Sequence, residues 1–417
     1  MRRVPRHSHY VPLGELWREL TSWYSWQPDA TFEKVPIRLQ PPPGKRLLVI
    51  DATDTGELVS WAGIPHRLGS ESRRLTGERN APEKSNPECT QAFTYPFAIA
   101  IHDDRGKSLN ALAQVKPGYA RAEHRQEYSL QGFPMFLGRS FFNYRRIVST
   151  AAGDVFESMP APGDITLINW NRGNDWGWMN PSLVLTDEQL AKSGQLQNWL
   201  GGLSLDALKN GEKHALLFAE WLLEKQSDLD LPLTYLTGAN SPMGTVSGLS
   251  MIPYFREGRR ILGRQAYGQT QFMMREADLG VEPGTKRRDF SATAIARVHY
   301  SIDIHGCRYR NWEPSQEATS AALDEYDVQP TPIPLESLIP QGVDNLLIGG
   351  KSLAVSHIVN AVTRTHYSEW SIGAAAGATA GWLLKHAPAN LSPAEIVPQH
   401  QIVPLQQYLT NQGLRPQ

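Results

Sequence analysis

The sequence predicts an α/β fold in which a short parallel sheet is assembled from two distant parts of the chain. Residues 47–53 and 346–349 are continuous apolar runs with the β-branched content of buried parallel strands. Each run is followed by a turn of small or polar residues and then by a helical pattern, the strand–turn–helix order of such folds. We expect the two runs to be neighbouring strands of one sheet, with the helix that begins near Tyr367 packed across them.

Composition and charge limit the function classes. The 417 residues carry 41 positive and 42 negative side chains, a net charge of -1, which argues against electrostatically driven binding of nucleic acid. The 41% hydrophobic and 20% charged content is that of an ordinary globular protein. The basic first residues lack an apolar h-region, and no apolar run reaches the ~20 residues that a membrane span needs. We expect a cytoplasmic protein without a membrane span and without a nucleic-acid partner.

The two cysteines, Cys89 and Cys307, are far apart and neither lies in a CxxC motif. This excludes a Cys-ligated zinc or iron–sulfur site made by this chain alone, and we expect no metal site. It also disfavours a disulfide-dense secreted scaffold. Two thiols in a reducing compartment are the expectation, and one long-range disulfide is the alternative.

Patterning divides the chain into four stretches. Residues 1–46 are an N-terminal segment of uncertain role, and residues 387–417 read as a polar tail. Residues 47–66 and 335–386 contain the two strand–turn–helix units, and residues 67–334 form a mixed α+β insertion. Within the insertion, residues 186–225 have helical spacing with a capping-box signature at Thr186, and a pair of glycines divides the stretch into two predicted helices.

Three glycines occupy one face of the predicted last helix. Gly373, Gly377 and Gly381 follow at intervals of four, and each costs about 1 kcal/mol relative to alanine in a helix interior. Such a face favours close approach, either by a neighbouring strand or by a flat ligand. Because Gly349-Gly350 ends the preceding strand and Thr363-Arg364 begins the helical pattern, the free NH groups and the cation there predict a site for an electron-rich group.

The first strand also ends in polar residues. Asp51, Ala52 and Thr53 lie at its carboxyl end, where open α/β sheets bind ligands. The alternative is that Asp51 or Asp54 only caps the helix that follows.

Two residues of the insertion are candidates for substrate contacts. His305 can transfer protons near neutral pH, and Arg256 can bind a phosphate or carboxylate. A structural role is the alternative for a lone histidine in a strand, and a solvated turn is the alternative for the arginines Arg256, Arg259 and Arg260. Separately, the Trp- and Asn-rich loop 169–178 could stack sugar rings, which gives carbohydrate binding as a distant alternative function.

Two segments resemble the flavin-binding segments of FAD-dependent oxidoreductases. They are VIDATDTGELVSWAGI, and DNLLIGGKSLAVSH followed by TRTHYSEWSIGAAAGATAG. The resemblance, from about residue 45 to 386, is to the large family that includes succinate-dehydrogenase-like and geranylgeranyl-reductase-like proteins, and is nearest to relatives of the heterodisulfide reductase flavin subunit. PYFREGRRILG and INWNRGNDW are similar to further landmarks in the substrate-side domain of that family.

The resemblance implies an FAD cofactor and a hydride transfer between flavin and an organic substrate. It also implies a Rossmann-like FAD-binding domain with an inserted substrate-side cap. The resemblance names no catalytic base, and His305 and Arg256 remain the catalytic candidates on the chemistry of their side chains. In the family, the last strand touches the ribityl chain and the last helix points its N-terminus at the flavin pyrimidine ring. The residues that would bind the cofactor are Asp51, Ala52, Thr53, Gly349, Gly350, Ser352, Thr363, Arg364, Gly373 and Gly377.

The sequence departs from the family pattern in two places. No Gly-x-Gly occurs anywhere, so the strand–GxGxxG–helix unit that holds the FAD pyrophosphate is absent, and the first motif begins as early as Asp51. Ser352 stands near the position where many flavoproteins have an acidic residue. We therefore expect an incomplete Rossmann-like domain with exposed apolar strand edges, and a separate dinucleotide-binding half or electron-transfer partner. The alternative is a non-catalytic remnant or partner subunit that cannot hold FAD alone.

Overall fold

The computed structural model describes residues 2–3, 10–102, 125–126, 128–130, 141–150, 153–225, 232–280, 286–310 and 328–414. The helices of this part of the chain are α1 (Leu16–Tyr24), α2 (Glu57–Trp61), α3 (Arg73–Thr76), α4 (Asp187–Lys192), α5 (Leu205–Glu224), α6 (His357–Thr363), α7 (His366–Lys385) and α8 (Ile402–Asn411). Short 3-10 helices cover Asn143–Arg145, Glu276–Leu279, Leu335–Leu338 and Pro393–Glu395. None of these helices is long and apolar enough to traverse a lipid bilayer.

The strands are short. They are β1 (Arg2–Arg3), β2 (Val35–Pro36), β3 (Val49–Asp51), β4 (His66–Arg67), β5 (Phe93–Thr94), β6 (Phe97–Ile101), β7 (Arg146–Val148), β8 (Ile165–Ile168), β9 (Asp175–Trp176), β10 (Leu233–Tyr235), β11 (Arg260–Ile261), β12 (Ala294–Val298), β13 (Thr331–Pro334) and β14 (Leu346–Ile348). One four-stranded antiparallel sheet has the order β10-β6-β8-β7, and the other sheets of the described residues are two-stranded. Mixed helices and small sheets are consistent with the predicted α/β class.

The predicted parallel strand pair is confirmed. β3 and β14 run parallel, with Leu346 opposite Val49 and Ile348 opposite Asp51. The pairing continues past the strands, because the Gly349 amide donates to the Asp51 carbonyl at 2.8 Å. Two distant parts of the sequence thus end side by side, and the turns that follow them face the same edge.

The two predicted helices of the insertion are also confirmed. Thr186 and Gln189 form a reciprocal capping box at the start of α4, and the Ser204 side chain accepts from Ala207 N at the start of α5. α5 packs into an apolar core with the four-stranded sheet. A second core joins α6, α7, β12, β13 and β14.

The C-terminal stretch is not the polar tail that we expected. It contains α8, and the side chains of Leu391, Ile396, Leu405 and Leu409 belong to the core beside α7. The ring of Tyr408 lies 5.2 Å from that of His386 at the end of α7. The spacing of Leu405 and Leu409, one helical turn apart, already carried this information.

The expectation of two free thiols is wrong, because Cys89 and Cys307 form a disulfide. Both sulfur-bearing side chains are buried and pack against Met179. The bond joins segments that also share backbone hydrogen bonds, since the Ala92 amide donates to the His305 carbonyl at 2.9 Å. Sequence separation gave no sign of this proximity, which is created by the fold of the insertion.

A buried ion network anchors the start of α6. Arg260 pairs with Glu71 at 3.0 Å and with Glu257 at 3.2 Å. The His357 imidazole faces Glu257 at 2.9 Å, and the His357 amide donates to Glu71 at 2.9 Å. Because all four side chains are buried, each charge depends on its partners for compensation.

The buried Glu78 lies beside this network, and its pKa is shifted. The Ser356 hydroxyl and the Glu276 amide both donate to its Oε1, the latter at 2.8 Å. Burial raises the pKa of Glu78 to about 7, although these two hydrogen bonds oppose the shift, and the nearby Glu71 adds to it. Glu78 therefore changes charge within the physiological range of pH.

The glycine face of α7 contains two different environments. A Cβ on Gly373 would lie 3.1 Å from the Gly349 carbonyl oxygen, so this glycine allows the helix to approach the end of β14. Around Gly377, by contrast, no described atom lies within 4 Å of an added Cβ. Gly373 thus fits the packing interpretation, whereas Gly377 faces open space.

These environments predict different costs for the same substitution. Gly373→Val should destabilise the protein by about 1–3 kcal/mol because the branched side chain overpacks the contact with β14. Gly377→Val should change stability by less than about 0.5 kcal/mol, since valine fits a helix no worse than glycine and meets no neighbour. Chemical unfolding of both variants measures this difference. Equal costs would contradict the proposed contact between α7 and β14.

The pKa of Glu78 predicts a dependence of stability on pH. A carboxyl whose pKa is higher in the folded than in the unfolded state stabilises the fold at low pH, and this contribution is lost as the pH rises through about 7. The loss is on the order of 3 kcal/mol for the raised pKa of Glu78. Glu78→Gln cannot ionise and should keep this stability at pH 8. Unfolding free energies of both proteins at pH 5 and pH 8 test the prediction, and a variant with the wild-type pH profile refutes it.

Candidate active site

The turn after β3 is organised by its own side chains. Asp51 Oδ1 accepts from the Thr53 amide at 2.9 Å and from the Thr53 hydroxyl at 2.7 Å, and its Oδ2 accepts from Val59 N at 3.3 Å. Thr53 Oγ1 in turn accepts from Glu57 N at 2.9 Å. The alternative role that we gave for Asp51, capping the helix that follows, therefore fits its contacts. Thr53 shares this role, since both side chains accept from backbone NH groups of α2. Ala52 between them is exposed at the end of the strand.

The turn after β14 lies directly beside the first. A Cβ on Gly349 would clash with Ile50 Cγ2 at 2.7 Å, and one on Gly350 would lie 3.8 Å from Ala52 Cα. Ser352 does not reach this edge, because its side chain is buried and lies 2.9 Å from the position of a Cβ on Gly56. The structure thus brings Ala52 and the glycine pair together and places Ser352 on the inner side of the turn.

Lys351 is a buried cation that connects the elements around this edge. Its Nζ pairs with Asp54 in the turn after β3 and with Glu369 of α7, the latter at 2.9 Å. It also lies 5.8 Å from the centre of the Tyr254 ring. Burial alone would lower the pKa of Lys351, but the carboxylates of Glu369 and Asp54 outweigh this effect and raise it. Lys351 therefore remains a paired cation at the end of the parallel strands.

The prediction of one continuous helix from Thr363 is wrong, because α6 ends at Thr363 and α7 begins at His366. The fully buried Thr363 donates back to Val359 O at 3.4 Å. Arg364, between the helices, donates to the Tyr254 hydroxyl at 3.2 Å and to Asp303 Oδ2 at 3.2 Å. Its side chain is thus buried toward the insertion instead of projecting from a helix start. The chain leaves the helical conformation between α6 and α7 at Thr365, the residue before α7, whose backbone is extended.

The N-terminus of α7 has no side-chain cap. The Thr365 hydroxyl donates to the Ser368 hydroxyl at 3.1 Å and makes no bond to the backbone NH groups of the first turn. Tyr367 in that turn is 64% exposed. The positive end of a 20-residue helix is therefore open beside the glycine pair that follows β14.

The two predicted substrate contacts meet at one buried carboxylate. Asp175 Oδ1 lies 3.1 Å from an Arg256 nitrogen, and Asp175 Oδ2 lies 2.5 Å from His305 Nδ1. The Thr94 hydroxyl donates to the same Oδ1. Burial would raise the pKa of Asp175, but the charges of Arg256 and His305 hold it well below its usual range. Arg256 itself is buried, and its guanidinium also donates to the Ala92 carbonyl and the Thr94 hydroxyl, each at 2.8 Å.

Asp303 is the member of this group that sequence reasoning missed. Its Oδ2 lies 3.1 Å from His305 Nε2 and 3.2 Å from Arg364. Its carboxylate joins the residues predicted for the substrate to one predicted for the cofactor. Despite burial, which would raise it, the pKa of Asp303 is lowered strongly by His305 and by the charge of Arg364. The Asp-x-His spacing in an extended segment, which places both side chains on one face, was the available signal.

The other two arginines of the basic turn have structural roles. Arg260 belongs to the ion network below α6, and Arg259 donates to the carbonyl oxygens of Leu185 and Gly202 at 3.0 Å and of Thr55 at 3.3 Å. Both side chains are fully buried, so the solvated-turn interpretation is wrong.

The Trp-rich loop is largely interior as well. Trp170 and Trp176 are buried, and Trp176 stacks on Trp178 at 5.0 Å. The fully buried Asn174 bonds the carbonyls of Tyr95 and Ile168 at 2.9 and 3.0 Å. Buried rings cannot stack on a sugar, which disfavours carbohydrate binding by this loop.

Comparison with known proteins identifies one family for this chain. The family model described as FAD dependent oxidoreductase matches residues 47–401, from β3 to the start of α8. Neither the curated proteins nor the solved structures gave a match. The family indicates FAD as the cofactor. Since the matched residues make up most of the sequence, the chain belongs to the FAD dependent oxidoreductase family.

Proposed function

We propose that this chain is the larger part of a flavoenzyme that transfers a hydride between FAD and an organic substrate. The observation that carries the proposal is the edge where the exposed Ala52, the buried Gly349-Gly350 pair and the uncapped start of α7 meet. Ala52 and the glycine pair leave little side-chain bulk at the strand ends, and the first-turn NH groups of α7 lack a side-chain cap, which suits a flat and electron-rich ring. Bound FAD would supply the hydride chemistry, which no side chain provides.

The start of α7 suits the negative charge of a reduced flavin. Its first-turn NH groups present the positive end of the helix, whereas the charge of Lys351 is already compensated by Asp54 and Glu369. Gly377 leaves the adjacent part of the helix face clear. We assign Arg364 a positioning role, because its guanidinium holds Asp303 and Tyr254 next to the start of α7.

We further propose that a strand–GxGxxG–helix unit, which this sequence lacks, covers the outer face of α7. Trp370 and Leu384 on that face are 68% and 57% exposed, and Ile50 of β3 is 36% exposed. A partner that packs on α7 and on the two-stranded parallel sheet would cover these apolar side chains. Residues 47–66 and 335–386 would then complete an FAD-binding domain with that unit, while residues 67–334 form the substrate side.

The experiment is an FAD titration of the purified chain, alone and with a dinucleotide-binding unit, followed by visible absorbance. Gly377→Val should weaken binding by ten-fold or more, about 1.4 kcal/mol, without loss of stability, because the branched side chain fills the cleared face. Arg364→Ala should lower affinity or reduction potential by up to about 2 kcal/mol. Arg74→Ala, at an exposed position in α3, is the control and should behave as wild type.

Two results would overturn these assignments. If the wild type binds FAD and both variants bind and reduce it equally well, the helix has only a packing role. If no flavin band appears with or without the added unit, the chain is a non-catalytic remnant.

A further inference from the structure

We propose that His305 is held as an imidazolium between two aspartates, and that Asp303 passes its proton to the substrate. The inference rests on the proposed function, and it adds a direction to it. The substrate would be a proton acceptor, such as a carbonyl or a double bond conjugated to one.

The first argument is the hydrogen-bond pattern of the ring. His305 Nδ1 faces Asp175 Oδ2 at 2.5 Å, and its Nε2 faces Asp303 Oδ2 at 3.1 Å. A carboxylate is an acceptor only, so both bonds form only when both ring nitrogens carry hydrogen. A neutral imidazole would set a lone pair against a carboxylate. The geometry therefore favours the charged ring.

The second argument is the difference between the two aspartates. The Asp175 side chain is 5% exposed, and its oxygens are occupied by Thr94, Arg256 and His305. The Asp303 side chain is 31% exposed. Its Oδ2 receives both His305 and Arg364, whereas no residue of the described ranges bonds its Oδ1. One side of the ring is thus sealed, and the other ends in an oxygen that a ligand can reach.

The charges around Asp175 and Asp303 favour proton donation to the substrate over proton removal from it. Arg256 faces Asp175, and Arg364 faces Asp303, so both carboxylates are held as anions by a second cation. Tyr254 and Tyr300 are the phenols on this side, and the Tyr254 hydroxyl bonds Arg364. An anionic carboxylate between two cations takes up a substrate proton with difficulty. The proton of this group therefore rests on His305, and Asp303 holds it only transiently during the transfer to the substrate.

The proton balance of the step is simple. The Nε2–H bond of His305 breaks and an O–H bond forms on Asp303 Oδ2. The carboxyl group then turns to present this proton to the substrate, and the same O–H bond breaks as the proton passes to the substrate oxygen or carbon. Asp303 ends as the anion it was, and one positive charge has moved from His305 to the substrate. Bound FAD in its reduced form would supply the accompanying hydride, and the neutral His305 recovers its proton from water.

Nitrogen NMR of the full-length chain tests the proposal without flavin or substrate. The protein is labelled with ¹⁵N at its 12 histidines, and His305 is assigned by loss of its signals in His305→Gln. At about pH 7 we expect both nitrogens of His305 to be protonated, and in Asp303→Asn we expect one to be bare. The Nε2 hydrogen should exchange with water roughly ten-fold faster than the Nδ1 hydrogen, because only Asp303 reaches solvent.

Each outcome decides a separate question. A bare nitrogen in wild-type His305 overturns the inference even if FAD binds, and so does a faster exchange at Nδ1. If Asp303→Asn fails to fold, the wild-type spectrum alone decides the charge state. If the FAD titration fails, the proposed function is rejected. The charge of His305 is still decided separately, by its NMR spectrum.

Discussion

The parallel pairing of β3 with β14 is the constraint on which the candidate site depends. Each strand has only three residues, yet their register places the Asp51 turn beside Gly349-Gly350. α7 then approaches so closely that a Cβ on Gly373 would lie 3.1 Å from the Gly349 carbonyl oxygen. A shift of one residue in this register would move the exposed Ala52 and the glycine pair apart and would reverse the face that each strand presents.

Lys351 shows how the same pairing is stabilised by charge. It is contributed by the end of one strand, and its partners Asp54 and Glu369 come from the turn after the other strand and from α7. A buried ammonium is tolerated only because two carboxylates face it, so each of the three elements needs the other two. The ends of β3 and β14 and the start of α7 are therefore held together by ion pairs as well as by packing.

The sequence predicted those parts of the structure that depend on local patterns. Apolar runs identified β3 and β14, and the capping box at Thr186 identified the start of α4. It did not reveal that Arg259 and Arg260 are buried, because their carbonyl and carboxylate partners come from remote segments. For the same reason, the link from His305 to Arg364 through Asp303 is visible only in three dimensions. The family resemblance predicted the family and its FAD cofactor, but residue patterns alone could not separate the environments of Gly373 and Gly377.

The disulfide between Cys89 and Cys307 makes most of the insertion a closed covalent ring. A loop that spans 218 positions lowers the entropy of the unfolded chain by an amount worth about 5 kcal/mol in the chain-entropy treatment. β5 to β12 and the residues around Asp175 lie inside this ring, whereas β3, β14 and α7 lie outside it. A backbone cut within the ring would leave both fragments covalently connected. The insertion can therefore open locally or be nicked without losing its attachment to β3 and β14.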